Sequence, residues 1–180
     1  MTTKPKCVIV LPVSAHHAAR LDSVLEDVPR SGPYHVTLTY LPNQGRADVG
    51  DKLLTAVKNA VDKSSPLVLS HENLLSFEDH GDGFPAIVAV RAASPAEPTA
   101  LHDLKALIDH ELKELGVEYS QKWPVFKPHI TIGYTDVPVV PAKCWHAWVP
   151  SAVEIWYGLD ASEGKDSVHL PLGRFYRLTD

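Results

Sequence analysis

Two six-residue segments of this chain repeat one pattern, HVTLTY at 35–40 and HITIGY at 129–134. They share His, Thr and Tyr at the same offsets, and both have aliphatic residues at the second and fourth positions. Alternation of polar and apolar residues is typical of a strand with one buried face. The sequence therefore predicts strands near 34–41 and 128–134 that each place a histidine and a threonine on one face.

Side chains alternate between the two faces of a strand. His35, Thr37 and Thr39 are therefore predicted to share one face, and Tyr40 is predicted to point away from them and to pack. In the second copy, His129 and Thr131 share a face with Gly133, whose missing side chain would let a ligand approach the backbone. Tyr134, like Tyr40, is assigned to packing.

The rest of the chain predicts an α+β fold with three helices and about seven strands. A first helix is expected from Ser14 to Val28, with the segment 31–33 ending it, and a second over 48–61. A third is expected from Leu101 to Leu115, with Gly116 ending it. Strands are expected at 6–13, 66–77, 84–92, 152–158 and 168–178, with 78–83 joining a hairpin. The segment 136–150, rich in proline and aromatic residues, is expected to be a loop. No composition break marks a linker, so residues 1–180 are treated as one domain.

Composition and charge narrow the range of partners. With 17 Lys and Arg against 22 Asp and Glu, the net charge is −5, whereas a protein that holds long nucleic acid needs a basic face. Cys7 and Cys144 form no metal-binding or disulfide motif, and no apolar run is long enough to cross a bilayer. We expect a cytoplasmic monomer with no membrane partner.

Two histidines and two threonines that meet at one place suit phosphodiester cleavage. A neutral imidazole accepts a proton from the attacking oxygen while a protonated one donates to the leaving oxygen. The hydroxyls of Thr37 and Thr131 can donate to the phosphoryl oxygens. A single H-x-T is a weak signal, but exposed positions have no packing reason to repeat it in register.

The paired motifs, about ninety residues apart, with Phe126 and Pro128 just before the second, resemble those of the two-histidine (2H) phosphoesterases. This superfamily includes 2′-5′ RNA ligase and 2′,3′-cyclic phosphodiesterase proteins of bacteria and phages. The resemblance implies a bilobal α+β fold of two pseudo-symmetric halves around a central cleft, with helices on the outer faces and no metal or organic cofactor. It makes His35 and His129 the general acid and base, without saying which is which, and Thr37 and Thr131 the phosphate-binding hydroxyls.

Further residues are weaker candidates for substrate binding. Thr39, Lys127 and Gly133 lie in or beside the motifs, and Trp156 is a candidate nucleobase platform on a later strand. Trp123, Trp145 and Trp148 are expected in loops, where anchoring is the more common role of tryptophan. Arg91 and Arg174 are as well explained as surface charges, and the other histidines lack metal-ligand spacing.

The expected activity is metal-independent cleavage of a small nucleotide: a 2′,3′-cyclic phosphate, a 2′-5′ linkage or a cyclic oligonucleotide. One alternative is a phage counter-defence nuclease that degrades cyclic oligonucleotide immune messengers. Another is a module that binds a nucleotide without cleaving it. Both H-x-T motifs are intact, which favours an enzyme.

Overall fold

The computed structural model describes residues 6–30, 32–42, 44–79, 81–158 and 167–172. Within these ranges it contains three helices and eight strands, in the order β1 (Lys6–Pro12), α1 (Ala15–Asp22), β2 (His35–Pro42), α2 (Arg46–Lys63), β3 (Leu69–Ser76), β4 (Phe84–Ala92), α3 (Ala100–Glu114), β5 (His129–Thr135), β6 (Ala142–Trp148), β7 (Ala152–Tyr157) and β8 (Ser167–Pro171). The fold is α+β, as the sequence predicts.

All eight strands form one antiparallel sheet in the order β6-β3-β4-β5-β2-β1-β7-β8. The order is symmetric about the junction of β5 and β2. From the centre outward, one half consists of β2, β1, β7 and β8, and the other consists of β5, β4, β3 and β6. The motif strands β2 and β5 are therefore the two central strands. The two halves meet where Val36 of β2 pairs with Ile130 of β5.

The three helices lie on one face of the sheet, over the main hydrophobic core. Every second residue of the central strands enters this core, including Ile9 and Leu11 of β1, and Val36 and Ile130 at the junction. Leu53 of α2 and Leu104 of α3 meet them from the helix side. Burying one such side chain contributes about 1.5–3 kcal/mol. Because the helices cover one face of the sheet, the opposite face is available for a functional site.

Each motif strand contains a β-bulge at the same position of the repeat. Ile9 pairs with Thr39 and Val10 with Thr37, so Leu38 is the extra residue in β2. In β5, Ala86 pairs with Gly133 and Ile87 with Thr131, so Ile132 is the extra residue. A bulge reverses the alternation beyond it. Residues after the fourth position of the repeat therefore face the opposite way from the predicted one.

Several predicted boundaries differ from the observed ones. Helix α1 begins after Ser14, whose hydroxyl accepts from the His17 backbone as predicted, but it ends at Asp22 rather than Val28. The Ser23 hydroxyl donates to the Arg20 carbonyl at this end, and the chain then turns back toward β2. The predicted 66–77 and 84–92 hairpin and the third helix are confirmed, with Gly116 at φ +68° just past the helix.

The prediction that 136–150 is a loop is wrong, because it contains β6. Among the described strands this one lies at the sheet edge and pairs with β3 alone, and Trp145 points to solvent while His146 and Trp148 face inward. A one-sided edge strand has too few buried positions for a clear apolar alternation. Trp145 and Trp148 thus lie on a strand, whereas Trp123 is in a loop. Ser31, His80, Arg174 and the predicted strand beyond residue 172 lie outside the described residues.

Candidate active site

The structure brings the four principal motif residues together on the sheet face opposite the helices. Because Val36 and Ile130 pair across the junction of antiparallel strands and both point into the core, their neighbours lie opposite each other on the other face. His35 is thus across from Thr131, and Thr37 across from His129. We call this surface the histidine face.

Both imidazoles are held in the same way. Nδ1 of His35 lies 2.8 Å from the carbonyl oxygen of Pro33, and Nδ1 of His129 lies 2.7 Å from that of Lys127. A carbonyl oxygen only accepts, so each Nδ1 carries the proton and donates. In the neutral ring Nε2 is then the free acceptor. The carbonyl two residues earlier fixes the tautomer in each half.

One aromatic ring stands edge-on beside each imidazole. The ring centroids of His35 and Trp156 are 4.8 Å apart with 67° between the planes, and those of His129 and Phe77 are 4.7 Å apart at 76°. Edge-to-face pairs of this kind are favourable and restrict rotation of both rings. The two histidines are therefore flanked as well as hydrogen-bonded.

Burial lowers the pKa of both imidazoles below the usual 6.5, and the carbonyl bonds to Pro33 and Lys127 partly oppose this shift. The charge of His129 lowers the pKa of His35 further. This interaction shows that the two rings feel each other's charge, as one bound proton discourages a second.

The Thr37 and Thr131 side chains are half-buried. Among the described residues, neither hydroxyl takes part in a hydrogen bond. A hydroxyl can donate to one acceptor while it accepts from another donor. Both are thus available to donate to an anion placed between the imidazoles.

Thr39 is not on the histidine face, so its predicted placement is wrong. It is 2% exposed and lies on the helix side, where its hydroxyl donates to Asp109 Oδ1 at 2.8 Å and accepts from Lys105 Nζ at 3.1 Å. The Lys105 and Asp109 side chains are themselves paired at 2.6 Å. The bulge at Leu38 causes the reversal, because Thr39 comes after it.

Gly133 is turned away in the same manner by the bulge at Ile132. A Cβ built there would lie 2.5 Å from Val28 Cγ1 and 2.7 Å from the Pro29 carbonyl oxygen. The missing side chain therefore admits the segment that follows α1, rather than a ligand as predicted.

The bulges also turn the two tyrosines of the repeat onto the histidine face, so the prediction that they point away is wrong. Tyr40 pairs with Val8 and Thr37 pairs with Val10. Val8 and Val10 lie on the same side of β1, so Tyr40 shares a face with Thr37. Tyr134 occupies the equivalent place in the other half, where it pairs with Pro85. They are 36% and 48% exposed.

The remaining candidates take different positions. Trp156 lies beside His35 but is only 7% exposed, so it forms part of the wall of the site. The Lys127 side chain is exposed, and its carbonyl holds His129. Arg91 is paired with Glu72 on β3. Sequence reasoning missed Phe77 and Glu154, since neither belongs to the repeat and only strand pairing brings them to the site.

Neither a metal cluster nor a membrane-spanning helix occurs in the part of the chain that is described. No group of three or more His, Cys, Asp or Glu there is arranged to hold a metal ion. No helix among these residues is both long and apolar enough to cross a membrane.

No protein-family model matches the sequence, and no curated protein matches it either. Solved structures do match. The chain is similar to TT0787 of Thermus thermophilus, with 16% identity over 93% of this chain and 95% of that one and a TM-score of 0.63. It is also similar to the MHV ns2 PDE domain, with 18% identity, coverage of 94% and 100% and a TM-score of 0.58.

E. coli LigT complexed with NADP+ matches with 10% identity, coverage of 93% and 95% and a TM-score of 0.59. Nearly the whole of each chain is covered in these comparisons, so the likeness concerns the complete fold and not one half. The comparisons therefore show that this chain shares the overall fold of these solved structures.

Proposed function

We propose that this protein is a phosphodiesterase that cleaves a small nucleotide by general acid-base catalysis with His35 and His129. One observation carries the proposal: two imidazoles with fixed Nδ1 protons lie on adjacent strands, beside two threonine hydroxyls that have no hydrogen-bond partner among the described residues. The substrates we propose are 2′,3′-cyclic phosphates, 2′-5′ linkages or short cyclic oligonucleotides.

The solved structures of similar fold support this class of substrate. Two of them are described as a phosphoesterase and a PDE domain, and E. coli LigT has been crystallised with 3′-AMP, ATP and phosphate. For this chain, the net charge of −5 favours a small ligand held by a few local donors over a long polyanion.

In the reaction, one neutral imidazole takes the proton of the attacking water or ribose hydroxyl through Nε2 as the new P–O bond forms. The other imidazole, protonated, gives its Nε2 proton to the leaving oxygen as the old P–O bond breaks. Thr37 and Thr131 donate to the non-bridging oxygens, where negative charge builds up. Each proton transfer contributes typically about 10² to 10⁴-fold to the rate.

Repulsion between two imidazolium charges means that the pair holds one proton more readily than two, so one histidine acts as the base and the other as the acid. A nucleotide p-nitrophenyl ester identifies the two roles, because its leaving group needs no proton. The alanine variant of the acid should retain far more activity on this ester than on a natural linkage, whereas the alanine variant of the base should be impaired on both. Equal losses on the two substrates in both His35→Ala and His129→Ala would contradict this division of roles.

A product assay tests the activity itself. A panel of 2′,3′-cyclic mononucleotides, 2′-5′ dinucleotides and cyclic dinucleotides is incubated with the protein in EDTA, with His129→Ala in parallel. Cleavage that resists EDTA and is lost in the variant is the expected result. Binding of these compounds without any cleavage would indicate the non-catalytic module instead, and preference for cyclic dinucleotides would favour the counter-defence nuclease.

A further inference from the structure

The two halves of the histidine face match residue by residue beyond the motifs. Trp156 of β7 pairs with Val8, and the backbone N–H of Phe77, just past β3, donates to the carbonyl of Pro85. Val8 and Pro85 are the partners of Tyr40 and Tyr134, respectively. Trp156 and Phe77 are therefore equivalent, each standing beside the imidazole of its own half.

One position breaks this symmetry. Glu154 pairs with Val10, the partner of Thr37. The equivalent residue in the other half is Leu75, which pairs with Ile87, the partner of Thr131. A carboxylate on the His35 side thus corresponds to an apolar side chain on the His129 side.

The carboxylate connects to His35 through one side chain. Glu154 Oε2 accepts a hydrogen bond of 2.9 Å from Trp156 Nε1, and the indole stands edge-on to the His35 ring. The other oxygen, Oε1, lies 3.4 Å from Nδ1 of His169 on β8. The Phe77 ring carries no N–H, so no equivalent side-chain hydrogen bond among the described residues holds the ring beside His129.

We propose that Glu154 is a positioning residue for His35 that acts through the indole of Trp156. The edge-on contact restricts His35 only as far as the indole itself is held, and a hydrogen bond to a carboxylate is short and stronger than a neutral one. With its N–H bonded to Glu154, the indole keeps one orientation and limits the directions that His35 Nε2 can take. This inference rests on the proposed function, because it assigns His35 a catalytic task.

Kinetics on a 2′,3′-cyclic mononucleotide test the role. Glu154→Leu, which copies the Leu75 half, should lower kcat by about 10 to 10²-fold, the size expected when a reacting group is slightly misplaced. KM should change little, because Glu154 acts on His35 and not on the substrate. Glu154→Gln keeps an oxygen that accepts from Trp156 and should restore most of kcat. Glu72→Leu, the same substitution on β3 away from both imidazoles, is the matched control.

Removing Trp156 Nε1, the donor of the hydrogen bond to Glu154, gives a second test. Trp156→Phe keeps a ring beside His35 but removes the N–H. It should resemble Glu154→Leu, and the double variant should be no worse than either single variant. Additive losses, or a loss in Glu154→Gln equal to that in Glu154→Leu, would overturn the positioning role.

Imidazole ¹⁵N NMR of the free protein separates this inference from the proposed activity. In the unsubstituted protein His35 should show the Nδ1-protonated tautomer. In Glu154→Leu the Pro33 carbonyl still fixes this tautomer, but the His35 ring signals should shift and broaden while those of His129 stay in place. Unchanged His35 signals would overturn the inference even if the protein is an active phosphodiesterase. If the protein cleaves nothing, the proposed function fails, and the NMR comparison still decides whether Glu154 positions His35.

Discussion

Thr37 and Thr39 lie two residues apart on β2 and yet belong to different parts of the molecule. Thr37 is on the histidine face with no bonded partner among the described residues, and Thr39 is buried between Lys105 and Asp109. The pattern of the sequence gives both the same face. Only the strand register, through the bulge at Leu38, separates them.

Replacing threonine by valine should therefore lower activity at position 37 and lower stability at position 39. Thr37→Val removes a donor to the phosphoryl oxygen and should lower kcat/KM by about 10²-fold with little change in stability. Thr39→Val removes a buried hydroxyl that makes two hydrogen bonds and should cost about 1 kcal/mol of unfolding free energy with little change in kcat/KM. Steady-state kinetics and urea unfolding of both variants check this prediction. Loss of activity in Thr39→Val but not in Thr37→Val would show that Thr39, and not Thr37, belongs to the active site.

At the scale of secondary-structure elements, the sequence predicts the helices and central strands well because their apolar faces are fully buried. It misses the matched bulges at Leu38 and Ile132, since a bulge is a property of two paired strands and leaves no mark in either one alone. The predicted faces of Thr39, Gly133, Tyr40 and Tyr134 are wrong for this single reason. His35, Thr37, His129 and Thr131 precede the bulges, and so their common face is predicted correctly.

The contact of β5 with the segment after α1 leads to a prediction about stability. Gly133→Ala would place a methyl group 2.5 Å from Val28 Cγ1 and 2.7 Å from a backbone oxygen, and overpacking of this kind costs typically about 1–3 kcal/mol. Gly50→Ala is the control, because it lies inside α2 where alanine is favoured and its nearest neighbour, Arg46 Cγ at 3.3 Å, leaves more room than the neighbours of Gly133. Thermal unfolding should show a lower Tm for the first variant and an equal or higher Tm for the second.

Helix α1 rests on β3 and β6 through a cluster of three histidines. His17 and His71 are almost fully buried, Nε2 of His17 is 3.2 Å from Nδ1 of His71, and the His146 ring stacks on His17 at 4.8 Å. Burial, together with the charges of neighbouring histidines, lowers the pKa of His17 and of His71 from 6.5 to about 4. Arg20 of α1 adds to this effect on His17 and His146.

Acid should therefore weaken the attachment of α1. The unfolded chain binds protons on these rings near pH 6.5 and the folded protein only near pH 4, so their contribution to stability is full above pH 6.5 and is lost as the pH falls toward 4. Urea midpoints at pH 7 and pH 5 measure the loss. In His17→Phe the difference between the two midpoints should shrink; a difference as large as that of the unsubstituted protein would contradict this account.

For the whole molecule, the pseudo-twofold arrangement explains how a single sheet builds one site from two distant segments. The resemblance to the two-histidine phosphoesterases implies two similar halves, and the strand order confirms them. Sequence alone does not predict how the halves join, because one residue pair, Val36 with Ile130, sets the relative position of the two histidines. The difference between Glu154 and Leu75 likewise becomes visible only when the strand pairing shows that these two residues occupy equivalent positions in the two halves.

The pH dependence of the reaction belongs to this scale, since it reports on both halves together. Catalysis needs one protonated and one neutral imidazole, and both pKa values are lowered from 6.5. The profile of kcat/KM, which reports the free enzyme, should be a bell centred below pH 6.5. The bound phosphate anion favours protonated imidazole, so the profile of kcat should move to higher pH. A plot of kcat/KM that keeps rising to pH 8 would contradict paired imidazole catalysis.

The most direct test of the central claim is single-turnover cleavage of the best substrate of the panel by His35→Ala, His129→Ala and the double variant. Groups that act as a pair lose most of their effect when either one is removed. We therefore predict that each single variant loses at least about 10²-fold and that the double variant is little worse than the singles. Cleavage by either single variant at close to the original rate would show that the two histidines are not the acid and base of this protein.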